Sequence, residues 1–164
     1  MKTSIPGKLV GCIGKCTSGL TAEELDHVTD NIHKTLTHPR GRKIFKEYLK
    51  QERRHDDLEC LKFYEKCSEF IEKEQNYSNS EKNPTLDSLI EDVNDAMLTA
   101  ENLDGIPEID MSLLEKYNEI LTRPPCRQSM LSLLEETKIR LMNHLRRVHR
   151  GFRDYALQPC PRTK

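Results

Sequence analysis

Apolar residues recur at intervals of three and four through this chain, and no other feature restricts its fold as strongly. The clearest run is Cys60, Phe63, Tyr64, Cys67, Phe70 and Ile71. On a helix of ~3.6 residues per turn these side chains share one face, which must be buried against a neighbour. Leu86, Leu89, Ile90, Val93 and Met97 repeat the pattern, as do Leu113, Leu114, Tyr117, Ile120 and Leu121. Strand-type alternation of useful length, internal repeats and a glycine-rich phosphate loop are all missing. An all-α fold follows, with about seven to nine helices expected at this length.

Polar punctuation locates the helices. Thr21 and Glu24 form a T-x-x-E capping box, in which each side chain satisfies a backbone N–H at the helix start. Leu25, Val28, Ile32 and Leu36 stand behind it in one stripe, predicting a first helix over residues 22–36 that His38, Pro39 and Gly41 end. Ile44, Phe45, Tyr48 and Leu49 predict a helix ending near Glu52. The next, long helix should begin near Asp56, where Asp56 and Asp57 complement the positive end of its dipole. Residues 75–84, QNYSNSEKNP, carry no aliphatic anchor and read as a mobile loop; the sequon at Asn76 carries no weight in a chain without a secretory signal. NLDGIPEID closes the acidic helix that follows, and Asp110 is the expected N-cap of the next. Arg123, Pro124 and Pro125 stop that one. The last segment carries Leu134, Leu141, Leu145, Val148, Phe152 and Tyr155, with Gly151 marking a bend or break.

A chain of 164 residues is most simply one domain and can bury a core without staples. Charged residues make up 32% and the mean hydropathy is -0.74, so much of each helix faces water. No apolar run approaches the ~20 residues that span a bilayer. Residues 1–19 read as a flexible tail of a cytoplasmic protein, because Pro6, Gly7, Lys8 and Lys15 interrupt the apolar stretch that a signal peptide needs. A helical domain over 20–157 and a short tail over 158–164 complete the organisation.

The six cysteines do not form an obvious framework. Cys60 and Cys67 lie on one helical face as small core residues. Cys12 and Cys16 lack neighbours that would complete a zinc tetrahedron, and Cys126 and Cys160 stand alone, so no metal and no cofactor are expected. Cys12 and Cys16 do sit beside Lys8 and Lys15, a combination of thiol and basic charge suited to acylation and peripheral contact with the plasma membrane; two unmodified thiols are the plainer alternative. Residues 84–121 hold one lysine against ten acids, whereas 123–164 hold ten basic residues against three acids. Such asymmetry suits a fold whose two ends meet different protein partners, or two solvated faces. No nucleic-acid partner is expected. Arg146, Arg147, His149 and Arg150 read as a solvated helix face or a membrane or phosphate contact, and His55 as an exposed loop residue. No histidine stands beside a cysteine or serine nucleophile in the pattern, which argues against an active site of the chain's own.

The stretch GRKIFKEYLKQERRHDDLECLKFYEKCSEF sets two apolar stripes on either side of a knot of charge. Its layout resembles the RGS domain, the helical module that regulates G-protein signalling. In that family a helix with aromatics spaced as in FKEYL leads through a charged connection into E-N-L-x-F-W, followed by Cys-Glu and an aromatic. LKFYEKCSEF is also similar to the corresponding helix of the G-protein-coupled receptor kinases, where a Phe-Tyr-Glu run is typical. EIDMSLLEKY resembles the family's asparagine-containing turn before a helix, and LLEETKIRLMNHLRRVHRGFRDYAL resembles its closing helices. The resemblance covers residues of about 20–157.

It implies a two-part architecture, with first and last helices in one subdomain and a four-helix bundle in the other. It also implies a Gα subunit as partner, other signalling proteins being open, and a mechanism without a catalytic group: the domain holds the Gα switch loops in the geometry of the transition state for GTP hydrolysis. Aligned without a gap, Asp56 and Asp57 fall on the family's contact Glu-Asn pair. A second contact asparagine falls near Glu108, and the terminal contact arginine falls on Arg153 or Asp154 by register. An amide donates and accepts, whereas an ionised carboxylate only accepts, so these substitutions point away from efficient GTPase activation. Aligning on Phe-Tyr-Glu shifts the connection and removes the asparagine match. Two other readings stay open: a divergent scaffold of this fold that binds a partner other than a G protein, and an unrelated bundle of cytokine or adaptor type with disulfides among Cys12, Cys16, Cys126 and Cys160.

Overall fold

Seven helices account for the regular structure in the computed structural model, which describes residues 19–78 and 86–158. They are α1 (Ala22–Val28), α2 (Ile32–Thr37), α3 (Pro39–Gln51), α4 (His55–Ser78), α5 (Leu86–Glu101), α6 (Met111–Thr122) and α7 (Arg127–Leu157). No strand occurs among the described residues. The expected all-α class therefore holds, as does the lower end of the expected helix number. The chain divides into two compact units, one from the chain up to Leu58 with the chain from Leu145 onward, the other Glu59–His144.

The Glu59–His144 unit is a bundle of four helical segments, several of which are tied together by polar contacts. Lys66 Nζ on α4 reaches Asp95 Oδ1 at 3.0 Å and Thr99 Oγ1 at 3.2 Å on α5. On α7, the Thr137 hydroxyl donates to the Leu133 carbonyl at 2.8 Å, so at 2.6 Å it accepts from the phenol of Tyr117 on α6. The thiol of Cys60 on α4 faces the Leu141 carbonyl of α7 at 3.5 Å, tying the last segment of the bundle to the first. Inside it Leu61, Phe63, Leu89, Val93, Leu113, Tyr117, Met130, Leu134 and Leu141 are buried. Each such side chain contributes about 1.5–3 kcal/mol of transfer free energy. Burial pushes the Cys67 thiol up to about 12, the behaviour of a core residue rather than a reactive one.

The other unit packs α1, α2, α3 and the end of α7 around Val28, Ile32, Leu36, Ile44, Phe45, Leu49, Val148 and Phe152, all buried. Phe45 and Phe152 meet with ring centroids 4.8 Å apart, and Tyr48 stacks on Phe152 at 5.5 Å and on Tyr155 at 5.4 Å. Tyr48 and Tyr155 are only half-buried.

Several caps stand where the sequence puts them. Thr21 and Glu24 make both arms of the capping box at 3.0 and 2.8 Å. Asp110 caps α6 by accepting from Leu113 N at 3.0 Å. His38 ends α2 and also caps α3, its Nδ1 accepting from the backbone of Arg40 and Gly41, with Pro39 at the first helical position.

Six expectations need correction. The single helix over 22–36 is two, because Asn31 caps a new start through Lys34 N while Thr29 turns its hydroxyl back to the Leu25 carbonyl. Gly41 lies inside α3 and is buried; a Cβ there would stand 3.2 Å from the Thr35 carbonyl oxygen. Residues 75–78 of the expected loop are the last turn of α4, while 79–84 lie outside the described residues. Gly151 does not break α7, which is continuous through it; a Cβ there would stand 3.0 Å from the Tyr48 hydroxyl, so the glycine answers to packing. His149 belongs to the core, not to a solvated face, and His55, though exposed, is the first residue of α4. The tails with Cys12, Cys16 and Cys160 lie outside the described residues.

Candidate functional site

The charged knot ERRHDD is a helix stop followed at once by a helix start. Glu52 caps α3, and Arg53 takes the left-handed conformation at φ 56. Arg53 N then bonds the Lys50 carbonyl at 3.1 Å and Arg54 N bonds the Leu49 carbonyl at 3.0 Å, the paired closure of a Schellman motif. Arg54 provides the carbonyl that Leu58 N uses at 2.9 Å, so α4 begins in the next residue. In that first turn Asp57 accepts from Arg54 Nε at 2.9 Å with its side chain 15% exposed, while Asp56 is exposed.

In the same unit Arg153 is turned onto α1. Its Nη1 donates to the Asp26 carbonyl at 3.0 Å and to the Thr29 hydroxyl at 3.1 Å, and its Nη2 meets the Asp26 carboxylate at 2.7 Å. A guanidinium placed against carbonyls at the end of a short helix satisfies acceptors that the helix leaves open. Asp154, one residue on, is exposed.

Glu108 lies in the other unit, in the turn between α5 and α6. Its carboxylate meets Nδ1 of the buried His144 at 2.9 Å, and its carbonyl accepts from Arg140 Nη1 at 3.0 Å. Arg140 Nη1 also reaches Asp110 Oδ1 at 3.0 Å, and its Nε and Nη2 hold Glu136 at 3.1 and 2.8 Å. Lys116 holds Glu136 from α6 at 2.9 Å. Two of these carboxyls are held below their usual range: Glu136 through Lys116 and then Arg140, and Asp110 through the Leu113 amide, then Ser112 and Arg140. Arg140, His144 and Glu136 were not singled out in the sequence. Their spacing of four on one helix was the available signal.

These sites offer carboxylates, several of them held by arginine or lysine, and a well-anchored turn. Among the described residues no group of three or more His, Cys, Asp or Glu is arranged to hold a metal ion, and no helix is long and apolar enough to cross a membrane. Comparison with known proteins gives one informative match. The family model described as the regulator of G protein signaling domain matches residues 31–152, from the start of α2 to Phe152 of α7. No curated protein and no solved structure matches the chain. A family match over that much of a 164-residue chain, on an all-helical fold with the expected order of features, settles its kinship: the chain belongs to the regulator of G protein signaling domain family.

Proposed function

We propose that this chain binds a Gα subunit and attenuates or scaffolds its signalling, with weak or no acceleration of GTP hydrolysis. The RGS domain spans residues 20–157 in this reading, with Asp56, Asp57, Glu108, Arg153 and Asp154 near the contact surface. Cys12 and Cys16 are the candidate acyl sites of a tail that brings the protein to the plasma membrane. The observation that carries the proposal is the Asp57 carboxylate, held by Arg54 Nε at 2.9 Å in the first turn of α4, on which the ungapped alignment puts the family's neutral amide. Activation in this family depends on orienting switch residues in the transition state better than in the ground state. Asp57 cannot donate the hydrogen bond that does so, and its charge repels the nucleotide phosphates.

A second reading, a scaffold for a partner other than a G protein, draws on the engagement of Glu108 with His144 and of Arg153 with Asp26. Both contact positions are then partly spent on the chain itself. One experiment separates the two readings: binding of the purified chain to a panel of Gα subunits loaded with GDP, with a GTP analogue, and with GDP plus aluminium fluoride. Saturable binding to any form supports the first reading. Binding to none of them overturns it.

A further inference from the structure

We infer that the solvent face of α3, centred on Lys43 and carrying Arg40, Lys46 and Lys50, rests on an anionic lipid surface. The inference deepens the membrane reading of the tail given above, but it needs no acyl group and can fail by itself. α3 buries Gly41, Ile44, Phe45 and Leu49. At ~100° per residue the opposite side of the helix is centred on Lys43, with Arg40, Lys46 and Lys50 within about a sixth of a turn of it. Arg40, Lys43 and Lys50 are exposed. The same face holds one carboxylate, Glu47, which Lys50 Nζ meets at 3.6 Å. Glu24 of α1 is close enough to Arg40 to feel its charge. Cations that outnumber acids in this way on one side of a short helix attract an anionic leaflet, each adding a modest increment that only the group makes effective.

The entry of the chain favours a membrane over another polyanion. Gly19 lies against this face: a Cβ there would stand 2.9 Å from Arg40 Nη1. The chain before it, with Lys15 and Cys16, therefore joins the fold beside Arg40, and the three residues from Cys16 to Gly19 reach at most ~11 Å. A lipid on Cys16 and the cations of α3 would act at one place, the pairing of an acyl chain with a basic patch that stable anchoring takes. Charge is divided between the compact units in the same sense. The sequence of the unit that holds α3 has 17 lysines and arginines against 9 acids, and that of the Glu59–His144 unit has 9 against 18. A negative surface attracts the first and repels the second.

The test sediments the purified, unacylated full chain with phosphatidylcholine vesicles, plain or with about a third of the lipid replaced by phosphatidylserine. Binding is expected to the anionic vesicles alone and should fall steeply as salt is added. Lys43→Glu combined with Lys50→Glu is expected to weaken it at least tenfold at an unchanged denaturation midpoint, because both side chains are exposed. Lys62→Glu combined with Arg123→Glu makes an equal charge change on exposed side chains of the Glu59–His144 unit and is expected to weaken binding far less. No binding to anionic vesicles, equal binding to plain ones, or equal losses in the two double variants overturns the inference. The acyl reading of the tail is tested apart from it, by fractionating cells that express Cys12→Ser combined with Cys16→Ser, so the failure of one is distinguishable from the failure of the other.

Discussion

His149 on α7 and Thr35 on α2 share a hydrogen bond of 2.7 Å inside the core, and it fixes the state of the imidazole. The Thr35 hydroxyl gives its one proton to the Val28 carbonyl, also at 2.7 Å, so it accepts from His149 and the ring carries its hydrogen on Nε2. This pair spans the break between α1 and α2, where the Val28 carbonyl would otherwise lack its helical partner.

Burial first, and then the nearby Arg153 and Arg146, push the His149 pKa down from 6.5 to about 4. The unfolded chain accordingly takes up a proton near 6.5 that the folded chain refuses until about 4. Stability contributed by the neutral ring is complete above that window and is lost as pH falls through it, at most about 3 kcal/mol. Urea midpoints measured from pH 7 to pH 5 should fall for the wild type and stay flatter for His149→Gln. That range lies above the lowered carboxyl groups, whose own losses come at more acid pH. Equal slopes for the two proteins would place the linkage elsewhere.

Phe63 provides a cleaner measure of the bundle core. It is 1% exposed and fully enclosed in the Glu59–His144 unit. Phe63→Ala should cost roughly 3 to 5 kcal/mol, from lost transfer free energy and the cavity left behind. Chemical denaturation reads this directly, and an unchanged midpoint would put the ring at the surface.

Most of what the sequence revealed concerns apolar spacing, and most of what it hid concerns polar groups that spacing does not describe. Leu25, Val28, Ile32 and Leu36 keep helical intervals across a break, because both short helices bury the same side. The interruption is written instead in Thr29, Asp30 and Asn31, three residues that favour caps and turns. His149 looks solvated beside Arg146, Arg147 and Arg150, yet α7 buries the face that holds Leu145, Val148 and Phe152. Gly151 reads as a break by composition and is a packing gap for Tyr48. Among the candidate site residues, Asp56 and Asp57 are found at the helix start that the sequence indicates, whereas the partners of Glu108 and Arg153 lie 36 and 127 positions away. No local pattern could have named them.

Arg53 pays a conformational penalty that glycine would not. At φ 56 it occupies the left-handed region, where a Cβ crowds the backbone, and its place in the Schellman motif is one that glycine favours. Arg53→Gly should stabilise the chain by about 0.5–1 kcal/mol after the added freedom of the unfolded glycine is counted. A lowered thermal midpoint would show that the Arg53 side chain makes a contribution larger than its strain.

Asp57 is the position on which the proposed activity turns. Replacing it with asparagine removes an ion pair to Arg54, whose side chain is 48% exposed, so the stability cost should be about 1 kcal/mol or less. In the proposed complex the same change supplies a donor and removes a negative charge from the contact surface. Asp57→Asn should therefore raise the rate of single-turnover GTP hydrolysis by a Gα subunit that the chain binds. The gain is bounded by about one charge-assisted contact, roughly 1.5–3 kcal/mol, because in the proposed alignment Glu108 and Asp154 still differ from the family's contact residues. A panel of Gα subunits assayed with wild type and variant decides the point. Robust acceleration by the wild type would mean that this surface tolerates its carboxylates, and an Asp57→Asn variant that binds without any gain in rate would mean that the contact asparagine aligns elsewhere in the chain.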